Sequence, residues 1–197
     1  MEEKIKRELT DHMVVANALL NRHIDDIHKL AKLLIDAYNR GGRLIIFGNG
    51  GSAADAQHIA AELVNYQYMT GRPMLDSVAL TVNTSIITAI GNDIGFENLF
   101  SRQIENLVND KDVIVAISTS GNSPNILKGV IAAKAKGAKV VGLTNKNGGK
   151  MNNMKEIDHL VKIPSLDTAR VQEGHITVLH VACSLVEKEL FQEKRFT

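Results

Sequence analysis

Leu44, Ile45, Ile46 and Phe47 run directly into Gly48-Asn49-Gly50-Gly51-Ser52, and no other stretch restricts the fold of this chain as tightly. An unbroken apolar run this short reads as a strand buried on both faces, the kind found inside a parallel sheet covered by helices. Gly48, Gly50 and Gly51 permit positive φ and close backbone approach. Ser52, with Asp55 three residues on, has capping-box-like spacing for the start of a helix. The first N–H groups of such a helix point back at the turn, so strand, glycine turn and helix start together make an anion site. Further along the same helix His58 and Glu62 stand four residues apart and project from one face, where they can share a metal ion or a proton.

The rest of the chain repeats this alternation. Residues 3–39 carry apolar positions at helical spacing, Val14, Val15, Leu19 and Leu20, then Ile24, Ile27, Leu30, Leu33 and Leu34, and predict two helices closed by Arg40-Gly41-Gly42. Ser77 to Leu80, Val113 to Ile117, Lys139 to Leu143 and Ile157 to Ile163 predict four more strands. Helical segments fall over 85–107, with a polar break at Gly91-Asn92-Asp93-Ile94-Gly95, over 124–136, and over Asp167 to about Glu193. Ser123 occupies an N-cap position and Pro124 the first helical one, where its missing N–H costs nothing. Strand and helix alternating in this way demand right-handed crossovers. The expected fold is therefore α/β and doubly wound, a five-stranded parallel sheet flanked by helices, with an N-terminal helical pair and ligands at the carboxyl ends of the strands. One domain over 1–197 is expected, the helical pair over 1–40 and the α/β core with its long last helix over 43–197, since no linker, repeat or low-complexity tract divides the chain.

Charge then excludes several classes of partner. With 23 Lys+Arg against 22 Asp+Glu the formal net charge is +1, so there is no basic field for nucleic acid or an anionic membrane. Trp is absent and aromatics are sparse, which removes a base-stacking platform. No apolar run approaches the roughly 20 residues of a membrane span, and MEEKIKRELTDH has no signal-peptide core, so a cytoplasmic protein is expected. The single cysteine, Cys183, falls in an apolar helical stretch and reads as a buried structural thiol.

Gly48-Asn49-Gly50-Gly51-Ser52-Ala53 fits the loose dinucleotide pattern G-x-G-x-x-A. Asp76, however, is badly placed for the ribose, and no Gly-Lys-Ser/Thr follows to make a Walker loop. Ser118-Thr119-Ser120 with Ser123 says more, because four hydroxyls beside a helix start can surround a phosphate without Lys or Arg, although such residues also fill ordinary turns. An i,i+4 His/Glu pair is commonly a minor surface contact worth a few tenths of a kcal/mol. Gln172 and His180 lie eight residues apart on the last helix, and a histidine among Val178, Leu179, Val181 and Ala182 is usually a satisfied core residue. Tyr66, Arg72, His159, Arg170, His175 and the histidines at 12, 23 and 28 read as structural or solvated.

Four segments in this order, FGNGGSAADAQHIAAEL, AIGNDIGFENLFSRQIE, ISTSGNSPNILK and TARVQEGHITVLH, make the chain resemble the sugar isomerase (SIS) domain family over nearly its whole length, and within it the phosphoheptose isomerases. That resemblance implies a flavodoxin-like SIS fold and an isomerase converting sedoheptulose 7-phosphate to D-glycero-D-manno-heptose 7-phosphate, at the start of nucleotide-activated heptose biosynthesis. It implies substrate contacts from Asn49, Gly50, Gly51, Ser52, Glu62, Asn92, Asp93, Ser118, Thr119, Ser120, Ser123 and Gln172. It also implies one zinc ion per subunit on His58, Glu62, Gln172 and His180, and a homotetramer with active sites at subunit interfaces. Glu62 is then the expected base and His180 the group that exchanges protons with the sugar oxygens. A carboxylate on zinc is a poorer base, so either Glu62 alternates between two jobs or the ion is chiefly organisational.

The alternative is a non-catalytic SIS module that binds a sugar phosphate or bridges proteins, as in the initiator-associating factor that binds the DnaA replication protein. That relative is similar over the same length but lacks the acidic residue at Glu62 and the histidine at His180. Where many isomerases continue the Glu62 helix with Gly-Arg, this chain has Asn65-Tyr66, and Arg72 is the nearest arginine downstream.

Overall fold

The computed structural model describes residues 1–192. Five strands, β1 (Leu44–Gly48), β2 (Ser77–Ala79), β3 (Val113–Ile117), β4 (Lys139–Asn145) and β5 (His159–Ile163), form one sheet in the order β2-β1-β3-β4-β5. Every neighbouring pair is parallel. Helices α1 (Glu2–Arg22) and α2 (Ile24–Asn39) precede the sheet, and α3 (Gly51–Val64), α4 (Thr84–Asp93), α5 (Leu99–Leu107), α6 (Pro124–Ala135) and α7 (Thr168–Glu187) connect and follow the strands. The doubly wound arrangement, the five parallel strands and the helical pair are those the sequence predicts.

The period-2 alternation of strand side chains divides the core in two. Leu44, Ile46, Val113, Val115, Ile117, Val141 and Leu143 pack with α1, α2, α3 and α7 on one face. Ile45, Phe47, Ile114, Ala116 and Val140 pack with α5 and α6 on the other, where Phe47 stacks on Phe100 at 4.7 Å between ring centroids. All five residues of β1 and of β3 are buried. Fully burying an Ile or Phe side chain stabilises by about 1.5–3 kcal/mol, so these two central strands anchor the sheet.

Their register sets Gly48 beside Ile117. The strand order reverses between β1 and β3, so the glycine turn and the Ser118-Thr119-Ser120 loop leave the sheet side by side at the switch point, where open α/β sheets bind ligands.

Several local expectations are corrected. Gly50, at φ 55° and ψ −120°, is the N-cap of α3, and no side chain caps that helix. Ser52 turns inward beneath the turn, where its Cβ lies 2.6 Å from the position a Cβ on Gly48 would take. The helix expected from Ser85 continues through Asn92 and Asp93 and breaks only at Ile94-Gly95, because Asn83 caps it and Gly95 adopts φ 92°. β4 runs two residues past Leu143. β5 starts at His159; the Ile157 N–H closes a turn onto Met154 O, and the Asp158 carboxylate accepts from the Val140 N–H and Lys134 Nζ. α7 ends at Glu187 and passes into a π turn over Lys188–Gln192; the expected terminus at Glu193 lies outside the described residues.

Candidate active site

α3 and α7 lie side by side on the same face of the sheet and run in the same direction. Gln172 near the start of α7 lies against Gly51 at the start of α3, and His180 meets His58 two turns further along both helices. Small and apolar residues allow this approach: Ala56, Ile59, Ala60 and Leu63 of α3 share a core with Val171, Val178, Leu179 and Ala182 of α7.

The approach assembles three side chains. His180 Nε2 lies 3.0 Å from His58 Nε2, and His58 Nε2 lies 3.3 Å from Glu62 Oε1. One ligand atom from each falls within 4.8 Å of the others. Two nitrogens and a carboxylate oxygen suit a divalent cation. In a tetrahedral site with bonds of about 2.0–2.1 Å neighbouring ligand atoms sit about 3.3 Å apart, so the three residues fit such an ion with little adjustment. Burial and the neighbouring His58 pull the His180 imidazole below the ordinary histidine range, against the opposing charge of Glu62. A neutral imidazole at pH 7 can either bind a metal or exchange protons.

The Gln172 amide lies beside the glycine turn. Its Nε2 lies 2.5 Å from where a Cβ on Gly51 would stand, and Gly51 precedes His58 by seven residues, about 10 Å of helix. Any side chain at position 51 would therefore displace the amide that flanks the glycine turn.

The second loop is preformed. Gly121 takes φ 66°, which bends the chain so that its N–H reaches Ser118 O at 3.0 Å, and the Ser118 hydroxyl lies 3.3 Å from that of Ser123. Ser123 is the N-cap of α6 with Pro124 following, as expected, although its hydroxyl makes no capping bond. No described residue accepts from the backbone N–H of Thr119, Ser120 or Ser123, at the end of α6 where the helix dipole favours an anion.

Asn125, a residue the sequence reading passed over, joins the two loops. Asn49 Nδ2 donates to Asn125 Oδ1 at 2.9 Å and Asn125 Nδ2 donates to Asn49 Oδ1 at 2.8 Å. The Asn49 side chain is thus engaged by protein, and the turn offers a ligand chiefly its backbone. A signal was present in the sequence: Asn125 lies on the same helical stripe as Ile126, Gly129, Val130 and Ala133, the buried face of α6.

Asn92 and Asp93 close α4 as an exposed pair, Asn92 Nδ2 donating to Asp93 Oδ1 at 2.7 Å, and make no hydrogen bond to either loop or to the His/Glu cluster among the described residues. Asp55, half-buried on α3, has its carboxyl pushed up by burial against the pull of His58, and its Oδ2 finds no protein partner.

Residues 11–145 match the SIS domain family. The phosphoheptose isomerase of Geotalea daltonii is 47% identical over 195 residues, 99% of this chain and all of that protein. That of Burkholderia pseudomallei is 49% identical over 170 residues, 86% of this chain and 85% of the relative. The chain belongs to the phosphoheptose isomerase family of SIS proteins. Solved structures agree with this membership. The phosphoheptose isomerase GmhA of Neisseria gonorrhoeae superposes with a TM-score of 0.89 at 38% identity, covering 95% of this chain and 98% of that one. The enzyme of Francisella tularensis gives 0.90 at 32%, covering 94% and 97%.

Family membership makes the remaining histidines informative by contrast. His175, fully buried, meets Thr144 O at 3.3 Å, and burial pulls its imidazole down to about 4 against that bond. His159 Nε2 donates to Asp26 O at 2.9 Å. Both are structural in this phosphoheptose isomerase fold, as expected from sequence. Cys183 is buried, and its thiol is pushed up to about 12, foremost by that burial. It is no nucleophile.

Proposed function

We infer that this chain is an aldose–ketose isomerase that converts sedoheptulose 7-phosphate to D-glycero-D-manno-heptose 7-phosphate, the first step of nucleotide-activated heptose biosynthesis. The observation that carries this reading is the meeting of Glu62 and His58 on α3 with His180 on α7, on the same sheet whose β1 and β3 carry the two glycine- and hydroxyl-rich loops at their carboxyl ends.

The phosphate is assigned to the N–H groups and hydroxyls of Thr119, Ser120 and Ser123 at the start of α6, with Ser118 beneath them. The backbone of Asn49, Gly50 and Gly51 and the Gln172 amide line the neighbouring turn and orient the sugar chain, with the buried Ser52 supporting the turn from beneath. Glu62 takes a proton from C1 of the open ketose, electrons shift toward the C2 oxygen to give the enediol, and the proton returns to C2 as C1 becomes the aldehyde carbon. His180 exchanges protons with the two sugar oxygens as the carbonyl moves from C2 to C1. Zinc, one ion per subunit, would be held by His58, Glu62 and His180 with Gln172 as the fourth ligand, and would supply polarisation of the carbonyl.

A homotetramer fits the same geometry. The His58 side chain is 50% exposed in one protomer, too open for a step that must exclude water. Exposed apolar residues also remain at Ile5, Leu9 and Met13 of α1, and at Ile86 and Ile94 on and beside α4. Burying these faces between copies would enclose the cluster and bring Asn92 and Asp93 into a site. No helix among the described residues is long and apolar enough to cross a membrane, and we place the enzyme in the cytoplasm with its sugar phosphate substrate.

A coupled assay that follows heptose 7-phosphate formation from sedoheptulose 7-phosphate tests the assignment. Turnover supports it, whereas tight binding without conversion would return the chain to the non-catalytic SIS class.

A further inference from the structure

Beyond Val64 the chain leaves α3 through residues 65–76 before β2 begins, and this connection is fastened from inside. Glu187, near the end of α7, accepts from the Gln67 N–H at 2.6 Å, from the Tyr68 N–H at 2.9 Å and from Arg72 Nε at 2.8 Å. The side chains of Arg72 and Glu187 are each only 2% exposed. The remaining Arg72 nitrogens are also engaged: Nη2 donates to Glu62 O at 2.9 Å and Nη1 to Pro73 O at 2.9 Å, while the guanidinium lies 5.6 Å from the centre of the Phe191 ring.

Two consequences follow from the chemistry. First, every nitrogen of Arg72 is committed, so the arginine nearest in sequence to Asn65-Tyr66 is not free to read a sugar. Second, Glu62 lies in the last turn of α3, where the final carbonyls have no intrahelical donor and the turn frays unless something supplies one. Arg72 supplies it at the carbonyl of Glu62 itself. Its other end is held by Glu187, seven residues or two turns beyond His180 along α7. One guanidinium therefore joins the ends of the two helices that carry the cluster.

We propose that Arg72 and Glu187 are positioning residues that hold the Glu62 carboxylate in register with His180. The inference rests on the isomerase reading above. Arg is required because its planar fork reaches a carboxylate and a carbonyl at once, which the point charge of Lys cannot do. A displacement of about 1 Å between reacting groups costs on the order of 100-fold in rate, so a small relaxation of the last turn is enough to matter.

Arg72→Lys and Glu187→Gln, measured beside the unmodified chain, test the proposal through kcat and KM for sedoheptulose 7-phosphate, Co(II) affinity by visible absorption, and circular dichroism. Both variants are expected to keep the wild-type spectrum and a KM within about threefold while kcat falls at least about tenfold and Co(II) binding weakens about tenfold. Should either unfold, Arg72→Met with Glu187→Leu replaces the buried pair by apolar packing and keeps the fold while still losing the tie to Glu62. Wild-type kcat and Co(II) affinity in the folded variants would overturn the clamp. So would a rise in KM with kcat unchanged, which would make Arg72 a substrate ligand. Absence of turnover in the unmodified chain would instead overturn the isomerase reading and the clamp with it.

Discussion

Asn49 and Asn125 exchange both amide hydrogen bonds across the switch point of the sheet, joining the turn after β1 to the helix after β3. Asn125 is 2% exposed, and its Oδ1 also accepts the Ile126 N–H at 3.0 Å, so the brace is built into the core rather than laid on the surface. Removing it leaves a buried partner unsatisfied and the two ligand loops free to move apart. Asn125→Ala should raise KM for sedoheptulose 7-phosphate about tenfold, the equivalent of roughly one lost hydrogen bond, with kcat little changed. Steady-state kinetics decide it. An unaltered KM would detach the brace from substrate binding.

Glu62 is assigned the proton transfer, whereas the phosphate is assigned to the start of α6. Glu62→Gln should therefore lower kcat by about 100-fold or more while phosphate binding, followed by calorimetry with inorganic phosphate, stays nearly intact. Near-normal turnover would remove Glu62 from the mechanism.

Ser120 and Ser123 are assigned to the other end of the sugar. Replacing both with Ala removes two hydroxyls but leaves the backbone N–H groups in place, so KM should rise first, by about tenfold, with a smaller effect on kcat. If KM does not move, the phosphate belongs to another loop.

His175 gives a pH-dependent stability with a definite sign. Its imidazole titrates near 4 in the folded chain and near 6.5 when unfolded, so the unfolded state binds the proton first as pH falls. The contribution is intact above about pH 6.5 and is lost between there and about pH 4, roughly 3 kcal/mol in all. Urea unfolding at a series of pH values should give a shallower slope in that window for His175→Gln than for the wild type. Equal slopes would mean that His175 is protonated in the folded state.

Much of the fold was legible because its signals are local. The apolar runs of β1 and β3, the glycines after β1, and Pro124 at the first position of α6 each act within a few residues. Element ends were less legible. Ser52 had the spacing of a cap, but Gly50 alone can take φ 55° at the turn, and Ser52 was drawn into the interior instead. Asn92 and Asp93 suggested a loop, yet the helix capped by Asn83 continues through both.

By itself the sequence determined a parallel, doubly wound sheet, two hydroxyl- and glycine-rich loops at strand ends, and a His/Glu pair on one helix face. All of these follow from periodicity, turn chemistry and short spacings. Only the tertiary structure decided that His180 meets His58 across 122 residues, that Gln172 stays by Gly51, that Asn125 braces Asn49, and that Arg72 turns inward to Glu187. Each of these pairings depends on how α3, α6 and α7 settle onto the sheet. That is fixed by the packing of whole faces, which no local pattern of residues encodes.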